Sequence, residues 1–213
     1  MSTSEEETKT FKFTTFTTVD PICDGSNWFA YCNNEPVNFQ DLWGLRKLTA
    51  EEIALHKAAG GGPVDYDSID LVNGMPTPQQ VRDAAASAGV DLSGKTDAEI
   101  QKEINEAGAM SLPSGKVYVP QGARNTQEKV NALIVHEVEH QSQYQNGDSG
   151  EVFKDLLDEG EQYNEHQMDP NQPDPYDTPG CKEYDAQQVE NKANDLYSNG
   201  WTPRAATSPC NYN

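Results

Sequence analysis

The chain has 213 residues, of which 35% are hydrophobic, and a formal net charge of -20 at pH 7. That charge argues against a nucleic-acid partner, and a mean hydropathy of -0.81 leaves material for one modest core, expected in residues 110 to 200 with part of the preceding region. No apolar run approaches the roughly 18 residues a bilayer crossing needs, and the N-terminal residues carry no signal-peptide pattern, so neither a membrane span nor a classical export signal is expected.

The first informative stretch reads Asp20-Pro21-Ile22-Cys23-Asp24-Gly25-Ser26-Asn27-Trp28-Phe29-Ala30-Tyr31, then Asn33-Asn34-Glu35-Pro36-Val37-Asn38-Phe39, then Asp41-Leu42-Trp43-Gly44-Leu45. These dipeptides, in this order and spacing, resemble the end of the bacterial Rhs/YD-repeat core. Leu42 stands where that family's Asp-Pro-x-Gly-Leu has Pro. The resemblance implies an upstream shell of β-strands followed by a variable toxin domain. It also implies an effector delivered into a competitor or host cell, with a cognate immunity protein at home. Many members cut themselves after the motif with two aspartates. Asp41 matches the motif aspartate and Asp20 the upstream one, with Asp24 as an alternative. Paired carboxylates can share a proton and activate water. The shell that would hold them is not among these residues, so self-cleavage is not expected, and residues 1–45 read as a core remnant.

Residues 46–110 read as a helical connector. Leu48 to Ala59 fits a short helix that stops at Gly60-Gly61-Gly62-Pro63. Thr77, Pro78 and Gln80 predict the capped start of a second helix, and Thr96 with Glu99 predicts a third. Between them, Gly89-Val90-Asp91-Leu92-Ser93-Gly94-Lys95-Thr96 fits the Walker A pattern. That loop needs a buried strand running into it, whereas Val81 to Ala88 reads as helix, so an interhelical loop is expected instead.

The toxin domain is expected at 111–213. Lys116 to Pro120 reads as a short strand that Pro120 ends or marks as a sheet edge. An edge strand beside an active-site helix could pair with an extended substrate, and a plain structural strand fits equally well. A long helix follows, with Val130, Leu133, Ile134 and Val138 on one face, Asn125 and Glu128 as its capping box, and Asn146-Gly147 as its stop. Inside it lies His136-Glu137-Val138-Glu139-His140, an HExxH motif. One turn separates the two histidines, so both imidazoles project from one face and can share a metal ion, with Glu137 alongside to hold a water.

A catalytic zinc site usually has three protein ligands and one open position. Gln143 and Asn146 stand where a metzincin has Gly and His, which excludes that extension. Further on, a helix from Lys182 to Asn199 carries Ala186, Val189, Ala193, Leu196 and Tyr197 as an apolar stripe, with Glu183 one turn before Ala186. Glu183 is the leading third ligand; Glu190, His166, Glu159 and Glu161 are the other candidates. The string Glu183-Tyr184-Asp185-Ala186 resembles the glutamate-bearing helix of gluzincin-type peptidases, with Gln187 in place of that pattern's Asp. Candidate transition-state donors are Tyr176, Tyr184 and His166.

Residues 148–185 hold 12 Asp and Glu against 2 Lys and read as a solvated, Pro-rich loop, with a docking surface or cation sites at Asp169, Asp174 and Asp177 as alternatives. Of the 4 cysteines, Cys181 and Cys210 could bridge the C-terminal tail to the helix start, and free thiols fit as well. The fold class expected is therefore α+β, mainly helical and zincin-like. The function expected is zinc-dependent peptide-bond hydrolysis in a target-cell protein. A non-catalytic binding domain and a zinc amidase acting on a non-protein amide are the alternatives.

Overall fold

A computed structural model describes residues 45–202. The Rhs-like stretch up to Gly44, with Asp20, Asp24 and Asp41, lies outside the described residues, as does Cys210 and with it the Cys181–Cys210 pairing.

The fold is α+β and mainly helical, with six α-helices and one four-stranded sheet among the described residues. Strand β1 (Leu45–Arg46) leads into α1 (Ala50–Ala58), whose N-cap Thr49 forms a reciprocal capping box with Glu52. Glu52 is also gripped by both terminal nitrogens of Arg46, at 2.6 and 2.8 Å. Strand β2 (Asp70–Asn73) follows, then α2 (Pro78–Ser87) and α3 (Asp97–Glu106), capped by Thr77 and Thr96 as the sequence predicts. The Walker-like segment is the interhelical loop expected, because the residues before it are helix α2 rather than a strand.

The sheet runs β1-β2-β4-β3, with β3 (Met110–Ser111) and β4 (Lys116–Val119). β4 stops just before Pro120, and it pairs parallel to β2 and antiparallel to β3, so Pro120 ends an interior strand and does not mark a sheet edge. Its residues explain the position. Val117 and Val119 join Leu133, Ile134 and Val138 in one apolar cluster, while Tyr118 joins Tyr144 and Phe153 in another. A strand buried on both faces suits a sheet centre. Since β2 lies in the predicted connector and β4 in the predicted toxin domain, the two regions share one sheet.

Helix α4 (Gln127–Asn146) carries the HExxH motif. Its N-cap is Thr126, accepting from the Lys129 N–H, one residue later than the Asn125–Glu128 box expected. Gly147 ends the helix with φ -112°, in extended and not left-handed conformation. It is small for room: a Cβ there would lie 3.0 Å from the Gln143 carbonyl and 3.2 Å from Val152.

The acidic stretch is only half loop. Residues Ser149–Met168 form α5, capped by Asp148, and all four prolines fall after it. Val152 and Phe153 are buried and Leu156 and Leu157 pack beside them, a spacing that defines an apolar helix face despite the charge around it. Helix α6 (Lys182–Ser198) lies where the sequence predicts, and its Ala186, Val189 and Ala193 are buried. Val189 and Ala193 pack with Ala132 and Val135 of α4 and Leu55 of α1. Small residues at this contact let α4 and α6 approach closely. No described helix is long and apolar enough to cross a membrane.

Candidate metal centre

The close approach of α4 and α6 brings three ligand-type side chains together. His136 and His140 project from α4 one turn apart, and Glu183 enters from the first turn of α6. His136 Nε2 lies 3.2 Å from His140 Nε2 and 3.1 Å from Glu183 Oε2, and the third side of this triangle, His140 Nε2 to Glu183 Oε2, is 3.6 Å. Atoms bound to zinc at about 2.0–2.1 Å in a tetrahedron stand about 3.3–3.4 Å from one another. Two imidazoles and one carboxylate are also a donor set that suits zinc. The residues present therefore fit such an ion.

Glu190, two turns along α6 from Glu183, places Oε2 3.2 Å from His136 Nδ1. The angle is too poor for a hydrogen bond, and Nδ1 is a buried atom with no well-aligned partner. The contact is one of charge. Glu137 is 5% exposed, and among the described residues no side chain or backbone group hydrogen-bonds to its carboxylate. It faces a cleft of about 670 Å³ whose wall also includes His140, Glu183, Tyr176 and Arg124.

Buried charge dominates the electrostatics. Burial disfavours a charged His136, but the hydrogen bond to Glu183, the close carboxylate of Glu190 and the charge of Glu183 prevail and push it up to about 10. His140 is raised too, as the charge of Glu183 overcomes burial. Burial likewise disfavours ionised Glu183, yet the charge of His140 and a hydrogen bond from His136 hold it far below the usual carboxylate range. Glu137 is raised, by burial first and then by Glu183 and Glu190, against the pull of both histidines. One buried and two half-buried carboxylates around two buried imidazoles make a site in need of positive charge, which protons or a metal ion can supply.

The remaining sequence candidates separate cleanly. Tyr176 lines the cleft with its ring 6.3 Å from that of His136, and burial followed by the charges of Glu183 and Glu137 keeps its hydroxyl protonated. Tyr184 lies next to Glu183 in the chain but outside the cleft wall. His166 sits at the far end of α5, with Nδ1 2.8 Å from the Gln172 carbonyl and Nε2 3.6 Å from Asp174, away from the triangle. Glu161 pairs with Lys95 at 2.6 Å. Glu159 turns to the backbone of α6 and not to the imidazoles. Asp169 accepts from Asn171, closing a local turn.

The sequence reading gave two residues of the site no role in it. Gln143 Oε1 lies 2.9 Å from His140 Nδ1, and Arg124 is a cleft-wall cation 3.9 Å from Glu190. Gln143 lies three residues after His140, the spacing of helical neighbours, so its contact could have been anticipated; that of Arg124 could not. No family profile, curated protein or solved structure matches this chain.

Proposed function

We propose that the chain is a zinc-dependent hydrolase of peptide bonds, with His136, His140 and Glu183 as the metal ligands. The observation that carries the reading is the triangle of ligand atoms, with sides of 3.1, 3.2 and 3.6 Å, beside a buried Glu137 that has no hydrogen-bond partner among the described residues, at the wall of a cleft. When bound, zinc would bring the pKa of a water molecule to about 7 and polarise a carbonyl oxygen. Glu137 takes the proton of the attacking water and hands it to the leaving amine. Tyr176 keeps its hydroxyl proton and donates a hydrogen bond to the oxygen that gains charge. The cleft beside these groups gives an extended segment of substrate somewhere to lie.

The helix-borne HExxH, the small sheet beside it and the glutamate on a following helix support a zincin-like classification of the gluzincin kind. The Rhs-like residues 20–45 extend the proposal to a delivered toxin, acting on a protein of the recipient cell and restrained at home by an immunity protein. Incubation of the purified zinc-loaded chain with a diverse peptide mixture tests the enzymatic reading. Cleavage that disappears in Glu137→Gln supports it, and an uncleaved mixture counts against it.

A further inference from the structure

The first turn of α6 is held from two sides. Cys181, the N-cap residue, makes no side-chain cap hydrogen bond, so the leading N–H groups of this helix need acceptors from elsewhere. Glu159 of α5 provides them: Oε1 accepts from the Lys182 N–H and Oε2 from the Glu183 N–H, both at 2.8 Å. A carboxylate is well placed there, since the N-terminus of a helix favours negative charge. From the other side, Gln143 Nε2 donates to the Lys182 carbonyl at 3.0 Å. The carbonyl of Lys182 and the N–H of Glu183 belong to a single peptide group. It is clamped at both ends, by residues from two other helices.

We infer that Gln143 and Glu159 are positioning residues of the metal centre. By fixing the peptide group that precedes Glu183, they aim its Cα–Cβ bond and hold its carboxylate beside both imidazoles before any ion arrives. Gln143 has a second task. With its Nε2 committed to the Lys182 carbonyl, its Oε1 faces His140 Nδ1 at 2.9 Å and accepts that proton. The lone pair of neutral His140 is then left on Nε2, the atom that faces the triangle. Gln143 thus ties one ligand's tautomer to another ligand's backbone. The sequence distance between Glu159, Gln143 and Glu183 makes this arrangement invisible without the fold.

The inference rests on the metal-centre reading, and zinc affinity measured by competition with a chromogenic chelator separates the two. Glu159→Gln and Gln143→Ala, each checked for folding by thermal melt, are expected to bind zinc about 10–100-fold more weakly than wild type. In a Glu183→Ala background the same changes should differ in kind. Glu159→Gln should add no further loss, having nothing left to aim, whereas Gln143→Ala should keep the part that acts through His140. If Glu159→Gln costs the same factor in both backgrounds, its role is general stability and the clamp is overturned. Affinities within twofold of wild type for both single variants overturn it as well. A wild type that binds no zinc overturns the metal-centre reading itself, a distinct result seen before any variant is compared.

Discussion

The Nε2 atoms of His136 and His140 stand 3.2 Å apart, with their rings inclined at 80°. Two ring nitrogens at that separation repel unless a proton or a cation lies between them. With the His140 Nδ1 proton given to Gln143, the Nε2 lone pair of His140 points at its neighbour, and Glu183 completes the third side. These three atoms are spaced for a tetrahedral ion.

Replacing Glu137 with Gln keeps the shape of the site and removes the base. Zinc content should be unchanged, while peptide hydrolysis falls about 10²–10⁴-fold. Parallel metal analysis and a quenched-peptide assay check both halves. A structural metal site would show no change in either.

The metal-free fold should weaken in alkali. His136 is raised from its ordinary 6.5 to about 10, against the effect of burial, by Glu183 and Glu190. A group that binds its proton more tightly when folded stabilises the protein fully below the lower value and loses that contribution as pH passes through the higher one. Thermal melts of chelator-treated protein should therefore show Tm falling from about pH 6.5 to about 10, and zinc should flatten the decline. A metal-free Tm that stays level or rises across that window contradicts the buried ion pairs.

The Gly60-Gly61-Gly62 run serves α4 as well as ending α1. A Cβ at Gly61 would come within 2.3 Å of the His56 ring, which is fully buried and held by Tyr66 at 2.9 Å and Glu139 at 3.1 Å. The Gly62 N–H donates to that same Glu139, inside the HExxH motif, at 2.8 Å. Gly61→Ala should destabilise by about 1–3 kcal/mol in urea unfolding, as overpacking does. Gly60, with φ +83° and open space around it, should tolerate Asn far better.

Ala193 of α6 is fully buried in the cluster that joins α6 to Ala132 and Val135 of α4. Ala193→Leu should push the helices apart, with a loss of about 1–3 kcal/mol in stability. Glu183 would retreat from the imidazoles, so zinc affinity should fall as well. Unchanged affinity in a destabilised variant would mean that the first turn of α6 is held independently of its middle.

Local chemistry was readable and long-range pairing was not. Thr77 with Gln80 and Thr96 with Glu99 announce their helices because each capping box is complete within four residues. The HExxH helix and α6 were visible through their apolar periodicity, and Glu183 through its place on the α6 stripe. Helix α5 was hidden by composition: its acidic residues and the later prolines outweighed the apolar positions 152, 153, 156 and 157. Strand β4 was found, but its interior place was not, because the parallel partner that makes it interior, Asp70–Asn73, is four residues long and far from it in the chain. Glu159 was weighed as a ligand, and only the packing of α5 on α6 reveals that its oxygens face backbone N–H groups.

Metal content by native mass spectrometry, wild type beside His140→Ala, tests the central claim most directly. The account predicts one zinc per wild-type chain and none in the variant, with both folded by circular dichroism. Wild-type protein that stays metal-free after zinc is supplied, or a variant that keeps its zinc, would contradict it.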